Sequence, residues 1–217
     1  MSAAPAPRIG VLALQGGYAA HVALLRGLGA DAHEVRTAEQ LDELDGLVMP
    51  GGESTTMTLA IERDGLGEPL RAFAASGRPI LGTCAGLIML DRGHLGLLDV
   101  VCERNAFGRQ THSFETELDV EGRSVHAVFI RAPWVTEAGA GVEILAEVDG
   151  HPVAVREGRL LGVAFHPELA GRRRSTKPSS PMSPRPAPSR RRCFVTVRSS
   201  HTRTNCAGSH ADAEPPY

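Results

Sequence analysis

Apolar residues in the first half of the chain come in short runs separated by longer stretches with helical spacing. Arg8 to Leu14 (RIGVLAL) is a buried-strand pattern, ended by Gly16-Gly17. Tyr18 to Leu28 then carries apolar residues at helical intervals and is closed by Gly29. Asp31 to Arg36 and Gly46 to Pro50 read as a second and a third strand. Ser54 to Ala75 reads as helix with a break near Asp64-Gly65. Pro79 to Thr83 is a further apolar strand, and Ala85 to Leu90 starts another helix. Strands alternating with helices in this way predict a parallel sheet covered on both faces.

The second half changes period. Ser113 to Val120, Ser124 to Ile130, Val142 to Val148, Pro152 to Arg156 and Leu160 to Phe165 are strand-like runs. Turn pairs such as Glu121-Gly122, Asp149-Gly150 and Glu157-Gly158 separate them, which predicts antiparallel hairpins added to the sheet. The expected fold class is α/β: a three-layer mixed sheet with helices on both faces and added antiparallel strands.

From Gly171 onward the apolar periodicity stops. Arg172-Arg173-Arg174 and Arg190-Arg191-Arg192 flank Ser- and Pro-rich sequence holding seven of the fifteen prolines. Such a stretch buries too little surface to offset its ordering entropy. The reading is therefore a domain over residues 1–170 and a basic, disordered tail over 171–217. The tail is either an arm for an acidic partner or an out-of-frame end, the second being the simpler account.

Charge follows the same division. The tail holds ten Lys or Arg against two acidic residues, leaving thirteen basic and twenty-three acidic residues before it. An acidic body argues against nucleic-acid binding, which needs clustered cations. No apolar run reaches membrane-spanning length, and Met1 to Pro7 has no secretory pattern, so a cytoplasmic protein is expected. Cys84, Cys102, Cys193 and Cys206 lack the spacing of a zinc site or a disulfide framework. No metal or cofactor is expected.

Three strand ends carry residues able to do chemistry. Gly82-Thr83-Cys84-Ala85-Gly86 places a cysteine between small residues where a strand turns into a helix, a nucleophile elbow with sulfur in place of oxygen. Alone, a cysteine is more often a small buried hydrophobe. His166-Pro167-Glu168 follows the last strand-like run, and residues two apart in extended chain point the same way, so Glu168 reaches the His166 ring. A cysteine nucleophile needs such an oriented base. Pro50-Gly51-Gly52-Glu53-Ser54 is a turn whose N–H groups, with that of Ala85, suit an oxyanion hole. Its plainer account is a strand–helix turn with Ser54 or Thr55 as N-cap. Ligands of open α/β sheets bind at carboxyl strand ends, where these elements converge.

On these residues the chain resembles the class I (triad) glutamine amidotransferases, whose fold is flavodoxin-like. More narrowly it resembles the glutaminase subunits of pyridoxal 5′-phosphate synthase. The resemblance rests on IGVLALQGGYAAH (Ile9 to His21), GLVMPGGESTTM (Gly46 to Met57), LGTCAGLIML (Leu81 to Leu90), ERNAFGRQ (Glu103 to Gln110), FIRAP (Phe129 to Pro133) and FHPEL (Phe165 to Leu169). PGGEST, ERNAFGRQ and FIRAP set that subfamily apart from other amidotransferases.

The resemblance implies Cys84 as nucleophile, His166 as base and Glu168 as its orienting partner. It implies that Gly51, Gly52, Glu53, Arg104, Ile130 and Arg131 contact glutamine, and that Gly52 and Ala85 supply the oxyanion hole. Gln15 would lie at the interface with a synthase subunit. The ammonia released from L-glutamine would pass within that complex into pyridoxal 5′-phosphate, and the glutaminase would need no cofactor.

Two features depart from the family. The chain is short between Leu90 and His94, and after Leu169 the tail stands where relatives continue into a packed helix. The second departure implies a domain less stable than its relatives by on the order of a few kcal/mol. A melting temperature equal to that of a relative with the helix would count against this. The rival functions are another cysteine hydrolase, such as a γ-glutamyl peptidase, and a partner-binding subunit without catalysis.

Overall fold

Four short apolar strands of the first half lie side by side and parallel, because each is followed by a helix or turn that returns the chain to the same edge. In the computed structural model these are β1 (Arg8–Leu12), β2 (Asp31–Val35), β3 (Gly46–Met49) and β4 (Ile80–Thr83). The structure describes residues 5–106 and 113–170. Phe107 to Gln110 of the ERNAFGRQ stretch, and the whole expected tail over 171–217, lie outside the described residues.

The helices of this half are α1 (Tyr18–Gly27), α2 (Ser54–Arg63), α3 (Gly67–Ala75) and α4 (Ala85–Leu90). The expected break near Asp64-Gly65 falls between α2 and α3. Gly65 takes φ +65°, and the Leu66 amide bonds back to the Ile61 carbonyl at 2.9 Å, closing α2 with a left-handed residue. The same closure ends α1, where Gly29 has φ +88° and Ala30 bonds to Leu25.

The later strands are β5 (Val100–Glu103), β6 (Phe114–Val120), β7 (Arg123–Phe129), β8 (Trp134–Ala138), β9 (Glu143–Val148), β10 (His151–Glu157) and β11 (Leu160–Val163). The main sheet has seven strands in the order β2-β1-β3-β4-β11-β10-β9. β11 runs parallel to β4, whereas β10 and β9 extend the edge antiparallel. The sequence expectation therefore needs correcting on two points. β11 is not only a hairpin strand but the fifth parallel strand. The β6–β7 hairpin forms a separate two-stranded sheet instead of joining the main one. A further pair, β5 with β8, was not foreseen; its members are four and five residues long and far apart in sequence.

The layers follow from which faces the strands bury. Val11, Ala32 and Val48 point to one side and pack with Val22 of α1. Leu12, Leu47 and Met49 point to the other and pack with Met57, Ile61, Leu70 and Phe73 of α2 and α3 and with Leu87 of α4. Helices thus cover both faces, as the alternation predicts. Leu66, Leu70 and Leu87 are fully buried, and truncating any one to alanine costs about 2–5 kcal/mol. Among the described residues no helix is long and apolar enough to cross a membrane.

Candidate active site

Sheet order, not sequence order, builds the site. β1, β3, β4 and β11 are consecutive neighbours in the main sheet, and each delivers its next residues to the same edge. Gln15 follows β1, Gly51 to Ser54 follow β3, Cys84 follows β4, and His166 follows β11. Together they line a cleft of about 420 Å³, with Ala85, Arg104, Asn105, Ile130, Arg131 and Pro133 completing the wall. That volume lies in the range of small-molecule sites.

Cys84 occupies the elbow that its flanking residues predict. Its backbone has φ 49° and ψ −110°, a conformation rare for a residue with a side chain, and α4 begins immediately after it. The turn is possible because Gly86 lies against β3; a Cβ there would stand 1.9 Å from the Met49 carbonyl oxygen. The Cys84 side chain is largely buried, with Sγ 4.0 Å from the Ile130 carbonyl.

His166 and Glu168 sit in an extended bend and a following 3₁₀ turn (Pro167–Leu169). The His166 amide is held by the Val128 carbonyl of β7 at 2.9 Å. Its ring Nδ1 meets Glu168 Oε1 at 2.8 Å, which leaves Nε2 for the cysteine side. Burial of the His166 ring works against its charge. Hydrogen bonding to Cys84, then to Glu168, outweighs that burial and carries the pKa up to about 10. Burial likewise opposes the charge of Glu168, but the bond from His166 and the nearby His21 ring win and hold its carboxyl down at about 2. The Cys84 sulfur and the His166 imidazole thus face the same cleft, with the Glu168 carboxylate behind the ring.

The Gly51-Gly52 turn is packed against this group. A Cβ on Gly51 would lie 2.7 Å from His166 Cε1 and 3.2 Å from the Cys84 Cβ. Gln15 Nε2 bonds to the Glu53 carbonyl at 3.1 Å and anchors the turn to β1. The N-cap of α2 is Glu53, not the expected Ser54 or Thr55. Its carboxylate accepts from the amides of Thr55 and Thr56 at 3.1 and 2.7 Å and from the Thr56 hydroxyl. Those bonds, the Thr56 amide first, lower its pKa to about 2. Glu53 therefore lines the cleft with its side chain already committed to the helix start.

On the opposite wall Arg104 reaches Thr55 Oγ1 at 3.1 Å and His94 Nε2 at 3.3 Å. His94 Nδ1 is in turn fixed by the buried Asp91 at 2.7 Å. Arg131 Nε bonds to Asn105 Oδ1 at 3.3 Å. Both Arg131 (φ 47°) and Asn105 (φ 51°) have positive φ, as does Cys84, so three residues of this cleft share a strained backbone.

Every expected site residue except Glu168 lines the cleft, and Glu168 stands behind His166. Sequence reasoning missed Asn105, Pro133 and the Asp91–His94 support of Arg104. Asn105 and Pro133 belong to quoted stretches and could have been singled out there. Asp91 and His94 gave no periodic or spacing signal. Among the described residues no cluster of His, Cys, Asp and Glu is arranged to hold a metal.

Comparison with known proteins agrees with this geometry. Residues 11–177 match the family model described as the SNO glutamine amidotransferase family. A protein of Parafrankia sp. named pyridoxal 5′-phosphate synthase subunit PdxT is 58% identical over 178 residues, covering 76% of this chain and 88% of the relative. One of the same name from Shouchella clausii is 54% identical over 171 residues, covering 75% and 88%. A solved structure described as a glutamine amidotransferase superposes with a TM-score of 0.70 at 46% identity, covering 74% of this chain and 90% of that one. PurLQS from Thermotoga maritima shares the fold alone, with a TM-score of 0.66 at 20% identity. The fold, the residues at its carboxyl strand ends and these matches agree, and the chain belongs to the SNO glutamine amidotransferase family.

Proposed function

We propose that this chain is the glutaminase subunit of a pyridoxal 5′-phosphate synthase, hydrolysing L-glutamine to glutamate and ammonia and handing the ammonia to a synthase subunit. One observation carries the chemistry: a cysteine at a strained strand–helix corner shares a small-molecule cleft with a histidine that a buried carboxylate orients. Family membership supplies the glutamine, and the names of the relatives supply the pathway.

In this reading His166 takes the Cys84 proton and the sulfur attacks the side-chain amide carbon of glutamine. The carbonyl π electrons move to oxygen, and the oxyanion rests on the N–H groups of Gly52 and Ala85. His166 then gives its proton to the departing nitrogen, the C–N bond breaks, and ammonia leaves a thioester on Cys84. Water, deprotonated by His166, attacks the thioester; glutamate departs and the thiol is restored. Glu168 keeps the imidazole in one tautomer and stabilises its charged form. Arg104 and Arg131 anchor the charged end of the substrate, with Glu53 and Ile130 shaping the wall. Gln15, at the rim and tied to the Gly52–Glu53 turn, is where docking of the synthase subunit would act on the oxyanion site.

Ammonia release from glutamine by the purified chain, with and without a synthase subunit, tests the reading, with Cys84→Ala as control. Release that the partner stimulates and the control abolishes is the expected result. A folded chain that binds the partner but releases nothing would sink it, and cleavage of γ-glutamyl peptides in place of glutamine would redirect it.

A further inference from the structure

The triad is backed by a second histidine. His21 of α1 is 2% exposed, a rare state for a residue that is polar at both ring nitrogens. Its Nε2 lies 3.2 Å from Glu168 Oε2, the carboxylate oxygen that His166 does not use, and both side chains are almost fully buried. The same Nε2 lies 3.2 Å from the hydroxyl of Thr83, the fully buried residue immediately before Cys84. Oε2 accepts no well-aligned hydrogen bond, and its approach to Nε2 satisfies distance but not angle.

We propose that His21 is a positioning residue of the triad: it presents Nε2–H to Glu168 Oε2 and thereby fixes the carboxylate that orients His166. The inference rests on reading Cys84–His166–Glu168 as catalytic. Its physical basis is the acceptor inventory of Glu168. An ionised carboxylate only accepts, and one buried with an oxygen unpaired loses the full cost of desolvating it. His166 serves Oε1, so Oε2 must find its donor from another element, and His21 is the group that α1 brings there. The Thr83 hydroxyl, as acceptor of the same proton, keeps the His21 ring from rotating away. A chain of contacts then runs from Thr83 at the elbow through His21, Glu168 and His166 back to Cys84.

Among the described residues, the other ionisable groups of the surrounding elements are engaged elsewhere. Tyr18 of α1 faces Arg36, and Arg26 of α1 bonds to the Ala32 carbonyl. β7, which packs against the Pro167–Leu169 turn, contributes Val128 and Phe129 there, and its His126 is bonded to Glu117 and Glu115. The contact with His21 favours the charged form of Glu168, so its loss lets Glu168 take a proton at higher pH.

The test follows ammonia release against pH and glutamine concentration, with the synthase subunit bound, for the wild type, Cys84→Ala, His21→Leu and His21→Gln. A silent wild type would sink the glutaminase reading itself and this inference with it. With an active wild type, His21→Leu is expected to lower kcat about tenfold and move the acid limb of its pH profile up by about one unit, with KM unchanged because His21 does not line the cleft. His21→Gln, whose amide nitrogen reaches about as far as Nε2, is expected to restore most of both. Should His21→Leu fail to fold, His21→Asn replaces it, its shorter amide falling short of Oε2. A variant with lowered melting temperature but the wild-type pH profile and kcat would overturn the proposal, as would equal loss in the long and short amide variants.

Discussion

The amide of Cys84 donates to the carbonyl of Val163 at 2.8 Å, so the strand that leads to His166 also holds the residue that carries the sulfur. Cys84 and His166 are separated by more than eighty positions in the chain, yet their relative placement depends on one ladder of hydrogen bonds between β4 and β11. Short parallel strands of this kind are rigid because both faces are buried. Positioning of this quality is what a two-residue proton transfer requires.

Gly51→Ala should separate chemistry from stability. The new methyl group would stand 2.7 Å from His166 Cε1, displacing the ring from Cys84. A displacement of about 1 Å in such a site costs on the order of a hundredfold in rate. The expected result is a kcat reduced to that extent with a melting temperature close to that of the wild type, read by ammonia release and a thermal melt on the same sample.

Gly86→Ala should instead unfold the corner. Its Cβ would meet a backbone oxygen of β3 at 1.9 Å, and backbone cannot swing aside as a side chain can. Overpacking of this sort costs about 1–3 kcal/mol or more. A lower urea midpoint with unchanged slope is the expected signature; an unchanged midpoint would overturn the close approach of α4 to β3.

The Asp91–His94–Arg104 chain predicts a binding defect without a chemical one. His94→Phe removes the acceptor at 3.3 Å from Arg104 and leaves the guanidinium tied only to Thr55 on that side. If Arg104 anchors glutamine, KM rises several-fold while kcat stays within about twofold, since the loss falls on ground state and transition state alike. A fall in kcat at constant KM would assign His94 to the chemistry instead.

Glu168 makes stability depend on acid. Its folded pKa is depressed to about 2, so the stability it contributes is present in full above the ordinary carboxylate range near 4.5. It is lost as pH falls through the interval down to about 2, because protonation then costs the folded state its charged contacts with His166 and His21. The difference in unfolding free energy between the wild type and Glu168→Gln should be on the order of 2 kcal/mol at pH 7 and shrink steadily below pH 4.5. Chemical denaturation at stepped pH measures it, and a difference independent of pH would show that Glu168 is not held as an anion.

Much of this was legible in the chain. RIGVL, GLVM and ILGT are too short and too apolar to be anything but buried strands, and Asp64-Gly65 breaks a helix wherever it falls, so the parallel core and its helices were readable from local pattern. Cys84 between small residues and the His166-x-Glu168 pair were readable because their chemistry depends on near neighbours. Local pattern also misled: Leu160 to Phe165 looked like another hairpin strand, and Ser54 or Thr55 like the cap of α2. What only the tertiary structure decided depends on which strands are neighbours. Sheet order placed β11 beside β4, and that single adjacency brings His166 to the cleft that holds Cys84. It decided that β6 and β7 stand apart from the main sheet, and that Asp91 and His94 brace Arg104. It brought His21 of the first helix to the back of Glu168, an approach between residues 147 positions apart that no periodicity in either segment encodes. Side chains are patterned by their own element, whereas active sites are made where elements meet.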